Sequence, residues 1–152
     1  MCVEKYSPAS NAWDVIAQMY DKRICFCACS FIDSIYVIGG FRYGYMNCCL
    51  EFNTKNKSWR KTASIKVARE DASCTVFEGR IVVSGGYTNN NVHLKTVEAY
   101  NHTDDSWTNM PSMIEVKILP KSIAIKNKLF VFGGWDKEVS NYSIRVVTSL
   151  FC

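Results

Sequence analysis

The sequence predicts an all-β protein made of a repeated four-stranded antiparallel unit, the blade of a β-propeller. Three observations carry that prediction. A short apolar run ends at a double glycine three times: Ile35-Tyr36-Val37-Ile38 before Gly39-Gly40, Ile81-Val82-Val83-Ser84 before Gly85-Gly86, and Leu129-Phe130-Val131-Phe132 before Gly133-Gly134. A tryptophan stands 26 residues before each first glycine, at Trp13, Trp59 and Trp107. An aromatic residue stands 7 before each tryptophan, at Tyr6, Phe52 and Tyr100. Short β-branched and aromatic runs cut off by a breaker read as strands buried on both faces. Spacings of 46 and then 48 residues between the tryptophans leave room for four strands and their turns, the period of a propeller blade.

The elements follow in order. Residues 3–6 and 13–16 read as two strands around a turn containing Pro8 and Asn11. Arg23 opens a small-residue strand over 25–31, in which Cys25, Cys27 and Cys29 are expected to share one face. Residues 32–34 turn it into the first diglycine strand, and a polar, aromatic loop follows over 41–48. Strands at 49–53 and from Trp59 complete the unit. The second cycle runs from Arg69 through strands at 71–77, 81–86, 96–100 and from Trp107, with a loop over 87–95. In the third, Lys117 takes the arginine position, and Pro120 sits early in a strand reaching 125, where it removes a ladder donor. A further strand is expected over 143–148. By order, the tryptophan strand is outermost. The small-residue strand is innermost, because inner strands converge on an axis where little room remains. Ala28, Ser30, Cys74 and Ser122 fit that place.

Composition narrows the function classes. A hydrophobic content of 48% suits a folded core, and 18 Lys and Arg scattered among 14 acids give a net charge of +4 without a nucleic-acid stripe. No segment approaches the roughly 20 apolar residues of a membrane helix. No signal-peptide pattern precedes the first strand, so the expected setting is cytoplasmic, with the eight cysteines reduced.

The order arginine, small-residue strand, turn, apolar strand with Gly-Gly, loop, Glu-x-Tyr, turn, tryptophan resembles the kelch repeat. Glu4 and Glu98 fit the acidic position of Glu-x-Tyr, and Leu50 replaces it in the middle unit. The likeness extends over residues 3 to about 135 and is strongest to the repeats of BTB–kelch (kelch-like) proteins. It implies a domain layout over 1–152: strands closing one blade at 3–16, blades at 23–62 and 69–110, and an incomplete blade at 117–148. It further implies the substrate receptor of a cullin-RING ubiquitin ligase, with cullin binding and dimerisation supplied by BTB and BACK regions that this sequence does not contain. The expectation is therefore a truncated kelch region that binds a protein, either a ubiquitination substrate or, since kelch propellers also bind actin, a cytoskeletal protein. About three units cannot close a ring, so an open arc prone to self-association through its blade edges is expected.

Mapped by the same resemblance, the partner face is lined by residues 19–23, 65–70 and 113–117 and by the loops 42–45, 89–93 and 135–138. Arg23 and Arg69 are expected at the mouth of a pocket, where a guanidinium takes an acidic side chain, or else as structural arginines that cap loop carbonyls. Arg42, Tyr43, Tyr45, Asn90, His93 and Trp135 complete the candidate docking set, weighed against ordinary packing on the blade top. No metal site is expected, because a single strand carrying Cys25, Cys27 and Cys29 cannot wrap a tetrahedral ion. No cofactor is expected either. His93 and His102 lie on opposite rims, and no nucleophile, acid–base pair or phosphate loop appears, so the chain is not expected to be an enzyme.

Overall fold

The computed structural model describes residues 1–134, and within them every regular element is a strand. A hairpin of β1 (Cys2–Ser7) and β2 (Ala12–Gln18) comes first. Blade 1 follows as β3 (Cys27–Phe31), β4 (Ser34–Ile38), β5 (Cys49–Asn53) and β6 (Ser58–Thr62), paired in that order. Blade 2 contains β7 (Ser73–Phe77), β8 (Arg80–Ser84), β11 (Val97–Asn101) and β12 (Ser106–Met110). Its loop folds a small ribbon, β9 (Tyr87–Thr88) with β10 (Val92–His93). A last hairpin joins β13 (Lys121–Ile125) to β14 (Lys128–Phe132). All pairings are antiparallel, and no sheet closes on itself among the described residues.

The aromatic–tryptophan spacing is a cross-strand pair. Tyr6 lies opposite Trp13, Phe52 opposite Trp59 and Tyr100 opposite Trp107, with ring centroids 5.5, 4.8 and 5.1 Å apart. A turn of fixed length sets that register, which is why seven residues separate the partners each time. The inner hairpins turn through residues with positive φ: Ile32 at 54°, Glu78 at 48° and Lys126 at 55°, the backbone hand that a tight hairpin needs.

Strand alternation splits the apolar side chains between two interfaces. Cys27, Tyr36, Ile38 and Cys49 of blade 1 meet Ile81, Val83, Tyr100 and Trp107 of blade 2. Val82, Val97 and Ala99 face the other way, onto Leu129 and Val131. The inner strands lie side by side, and Ser73 touches Ser122 across the gap with 2.6 Å between hydroxyl oxygens. Burial of the outer tryptophan depends on its interface. Trp107 is 6% exposed and donates its indole N–H to Ala63 O at 2.9 Å, whereas Trp13 is 68% exposed.

Three sequence expectations need correction. Cys25 is not in the strand with Cys27 and Cys29: its φ of 55° ends the extended geometry, and β3 starts at Cys27. Asp71, with φ 53°, likewise stands outside β7. Pro120 precedes β13 and costs the ladder nothing. The strand expected at 143–148 lies outside the described residues, as does Trp135.

Candidate functional site

The diglycines fix the site's frame. Gly39, at φ 62°, is held so close to the next unit that a Cβ would lie 2.5 Å from Arg69 O; at Gly85 the obstacle is Lys117 O, at 2.6 Å. Only glycine allows both the positive φ and that approach. The following glycines hold the contact by hydrogen bonds. Gly40 N–H donates to Arg69 O at 2.8 Å and Gly86 N–H to Lys117 O at 2.7 Å. Two residues further on, Asp71 N–H donates to Cys25 O at 2.9 Å and Leu119 N–H to Asp71 O at 2.8 Å. These stitches run from unit to unit and tie the base of each loop to its neighbour.

Arg23 and Arg69 belong to this frame. They are 2% and 1% exposed. The Arg69 guanidinium donates to Gly85 O at 2.8 Å, to Thr96 O at 3.2 Å and to Thr96 Oγ1 at 3.0 Å, and it pairs with Glu98 Oε1 at 2.6 Å. Arg23 repeats the pattern on Gly39 O and Cys48 O, both at 2.9 Å, and on Cys48 Sγ at 3.0 Å, with Asp21 as its acid. Neither side chain reaches solvent to take a partner's carboxylate. Of the two roles the sequence allowed, the geometry is that of an arginine capping loop carbonyls, and the expected pocket mouth is corrected accordingly. Burial pulls the Arg69 guanidinium below its usual pKa, and the Glu98 charge opposes that shift. Lys117 holds the third position, also buried, with Glu115 3.9 Å away.

The loops after the diglycines do reach solvent. Tyr43 is 97% exposed, at φ 101°. Arg42 stacks over it with 5.4 Å from guanidinium carbon to ring centroid, and also pairs with Asp21 at 3.4 Å. From there a chain of rings crosses the blade boundary: Phe41 to Tyr45 at 5.4 Å, Tyr45 to Tyr87 at 5.7 Å, and Tyr87 to His93 at 5.5 Å. Partial burial and the contact with Tyr87 push the Tyr45 phenol pKa up. Asn90 and Asn91, at φ 58° and 56°, form the tip of the second loop, and Asn91 accepts from the Tyr87 hydroxyl.

Of the candidate docking residues, the structure therefore gathers Arg42, Tyr43, Tyr45, Asn90 and His93 on one face. It also adds Phe41 and Tyr87, which sequence reasoning passed over. Their signal was present, since both directly follow a diglycine. His102 is elsewhere, its Nδ1 3.1 Å from the Tyr36 hydroxyl and its ring against Phe31. Among the described residues no group of three or more ligating side chains is arranged to hold a metal ion, and no helix is long and apolar enough to cross a membrane.

Comparison with known proteins agrees with this architecture. The Kelch motif profile matches residues 22–65 and 68–114. The chain is 30% identical over 142 residues to Kelch repeat and BTB domain-containing protein 1 of horsepox virus, and 30% identical over 142 residues to the protein of that name in vaccinia virus, strain Copenhagen. Each alignment takes in 90% of this chain and 25% of the viral protein. Alpha-scruin of Limulus polyphemus is 30% identical over 137 residues, which are 85% of this chain and 15% of that protein. The chain thus spans about a quarter of the viral relatives' length. Two motif matches laid over two four-stranded blades, with the glycine, arginine and tryptophan positions each given a structural task, place this chain in the kelch-repeat family as a protein-interaction module.

Proposed function

We propose that the chain docks a protein partner on the face formed by the loops after the diglycines, as the substrate-recognition part of a cullin-RING ubiquitin ligase adaptor in the cytoplasm. One observation carries the reading. The ring series Phe41–Tyr45–Tyr87–His93 bridges two blades and stands beside an Arg42–Tyr43 pair whose tyrosine is almost wholly exposed. Rigid aromatics with an arginine at their edge are the residue types that dominate binding energy at protein interfaces. The similarity to viral proteins named for both kelch repeats and a BTB domain supports the ligase reading, with the cullin contact supplied by other protein segments. In this role the chain contributes binding and no chemistry of its own, and it needs no cofactor.

The similarity to alpha-scruin, at the same 30% identity, favours a second reading: a module that docks a cytoskeletal protein such as actin. One pair of variants separates the two. Tyr43→Ala and Arg42→Gln alter the face, the second giving up only the 3.4 Å pair with Asp21 and leaving Asp21 on Arg23. Under the ligase reading, proteins labelled in proximity to the wild-type chain show ubiquitin attachment that falls in both variants, and actin filaments do not sediment the chain. Co-sedimentation with filaments that both variants abolish, without any change in ubiquitination, selects the second reading. Binding unchanged in both variants removes this face from either role. Arg69→Glu is unsuited to the test, since it places a carboxylate beside Glu98 in a buried site.

A further inference from the structure

Two half-blades flank the two whole ones, and each lacks what the other carries. β1 and β2 match the outer strands β11 and β12, with Glu4, Tyr6 and Trp13 in the places of Glu98, Tyr100 and Trp107. β13 and β14 match the inner strands β7 and β8. In blade 2 the third strand lies on the second, Glu98 opposite Val83 and Tyr100 opposite Ile81. Blade 1 keeps that register, Leu50 opposite Val37 and Phe52 opposite Ile35. Among the described residues no strand lies on the corresponding edge of β14 or of β1. The side chains of the two halves show the same lack. Tyr100 and Trp107 are buried against blade 1, but Tyr6 and Trp13 are exposed. Phe77 is buried against the third unit, but its counterpart Ile125 is exposed, as is Ile123. Small exposed side chains, Ala28 and Ser30, stand on β3 where Cys74 and Val76 of β7 receive the preceding blade. Charge completes the match. Arg69 meets Glu98 of the third strand at 2.6 Å, whereas Lys117, buried at the same position, has its acid Glu115 3.9 Å away and exposed. Glu4, at the Glu98 position of β1, is an exposed carboxylate.

We infer that a second copy of this chain supplies the missing half: β1 of one copy pairs antiparallel with β14 of the other, Glu4 opposite Val131 and Tyr6 opposite Leu129. An unpaired strand edge is a template for such an addition. The composite sheet β13–β14–β1–β2 has the strand order of blade 2. In it Glu4 gives Lys117 of the other copy the acid that Glu98 gives Arg69, which a buried cation requires. Tyr6 and Trp13 pack on blade 2 of the other copy, as Tyr100 and Trp107 pack on blade 1 within the chain. Ile123 and Ile125 meet Ala28 and Ser30 of the copy that donates β1. Each copy has both halves, so the contact forms twice. Two whole blades and two halves per copy make six blades in a pair, within the roughly four to eight at which propellers close. One copy falls below that range and three copies exceed it, so the association stops at a closed two-fold ring. The pairing uses the blade ends and not the docking loops, and it stands apart from the choice of docked partner.

Analytical ultracentrifugation of the full chain over a dilution series tests this. The wild type is expected at twice the 17.3 kDa mass of the chain and no higher. Glu4→Lys sets a lysine beside Lys117, and Trp13→Ala removes a packed ring. Both positions are exposed in the single copy, so each variant keeps the wild-type circular dichroism while its mass falls to 17.3 kDa. Lys117→Glu alone falls likewise. An equal mixture of Glu4→Lys and Lys117→Glu chains recovers the dimer, because both composite blades then pair opposite charges. Where Lys117→Glu loses the wild-type circular dichroism, Glu4→Lys and Trp13→Ala decide. A wild type that is monomeric at every concentration overturns the inference, and residues 135–152 of the same chain then become the occupant of the β14 edge. Masses that climb past two copies overturn the closed ring, and a dimer that survives both Glu4→Lys and Trp13→Ala overturns the pairing.

Discussion

Blade 1 and blade 2 each bury an arginine at the start of the inner strand, and they neutralise it from different directions. In blade 2 the acid is Glu98, on the third strand. Besides Arg69, it accepts Lys66 N–H at 2.6 Å and Val67 N–H at 3.2 Å. In blade 1 the register-equivalent residue is Leu50, fully buried with Met19 and Val37, and the acid comes from Asp21, two residues before Arg23. The third unit resembles the first, with Glu115 two residues before Lys117. The repeat therefore keeps a buried cation beside an acid at this position and not a particular pair of residues. A buried charge without a partner is what the fold cannot tolerate.

The largest expected effect removes the acid from blade 2. Glu98→Leu gives blade 2 the residue of blade 1 without its compensating Asp21; it leaves buried Arg69 without a counter-charge and two backbone N–H groups unpaired. A loss of about 3–5 kcal/mol is expected in urea unfolding, and a loss under about 1 kcal/mol would break the comparison. Gly39→Ala comes next, at about 3 kcal/mol, because it adds a backbone clash at Arg69 O to the cost of a left-handed φ. Gly79→Ala, at φ 69° with nothing within 4 Å, carries only the conformational part, about 1 kcal/mol. Asp21→Val then costs about 2 kcal/mol, since Asp21, unlike Glu98, accepts no backbone N–H whose loss would add to that of the counter-charge. Adding Leu50→Glu to that variant transplants the blade 2 arrangement and should recover at least half of the loss; simple additivity of the two changes would refute the exchange.

Two smaller effects sharpen the same contrast. Trp107→Phe should cost about 1 kcal/mol more than Trp59→Phe, because the Trp107 indole donates to Ala63 O, while the buried Trp59 Nε1 has no partner among the described residues. The last concerns pH. Hydrogen bonds from Ala63 N–H and the Tyr100 hydroxyl hold the Asp105 carboxyl below its usual pKa. A depressed folded-state value stabilises the fold above the ordinary aspartate range, and that contribution disappears as pH falls through the depressed value. Blade 1 has Lys57 at the matching turn position, so Asp105→Asn should flatten the acid limb of a stability-versus-pH curve slightly, and Lys57→Ala should leave it unchanged.

Strands and turns were legible because the signals that make them are local. Alternation, a breaker at Gly39 or Gly85, and a seven-residue aromatic–tryptophan spacing act within one hairpin or one blade, and the strands fall within about two residues of their expected bounds. The left-handed residues Cys25 and Asp71, which shorten the inner strands, carried no such signal. Their φ is set by hydrogen bonds to neighbouring units and not by their own side chains. The docking face was half legible. Tyr43 and Tyr45 are recognisable as loop aromatics, but Phe41 and Tyr87 become part of one ridge only when two blades are placed side by side.

By itself the sequence determined that this chain is a row of antiparallel four-stranded units, because a periodic pattern of side chains and glycines dictates local pairing wherever it recurs. The tertiary structure alone decided that Arg23 and Arg69 are buried on the loop carbonyls of their own units and that rings from two loops join. The first closes each unit on itself over 16 to 29 residues and the second joins Tyr45 to Tyr87 across two blades, and packing within and between sheets, to which no local pattern is sensitive, sets whether such residues meet.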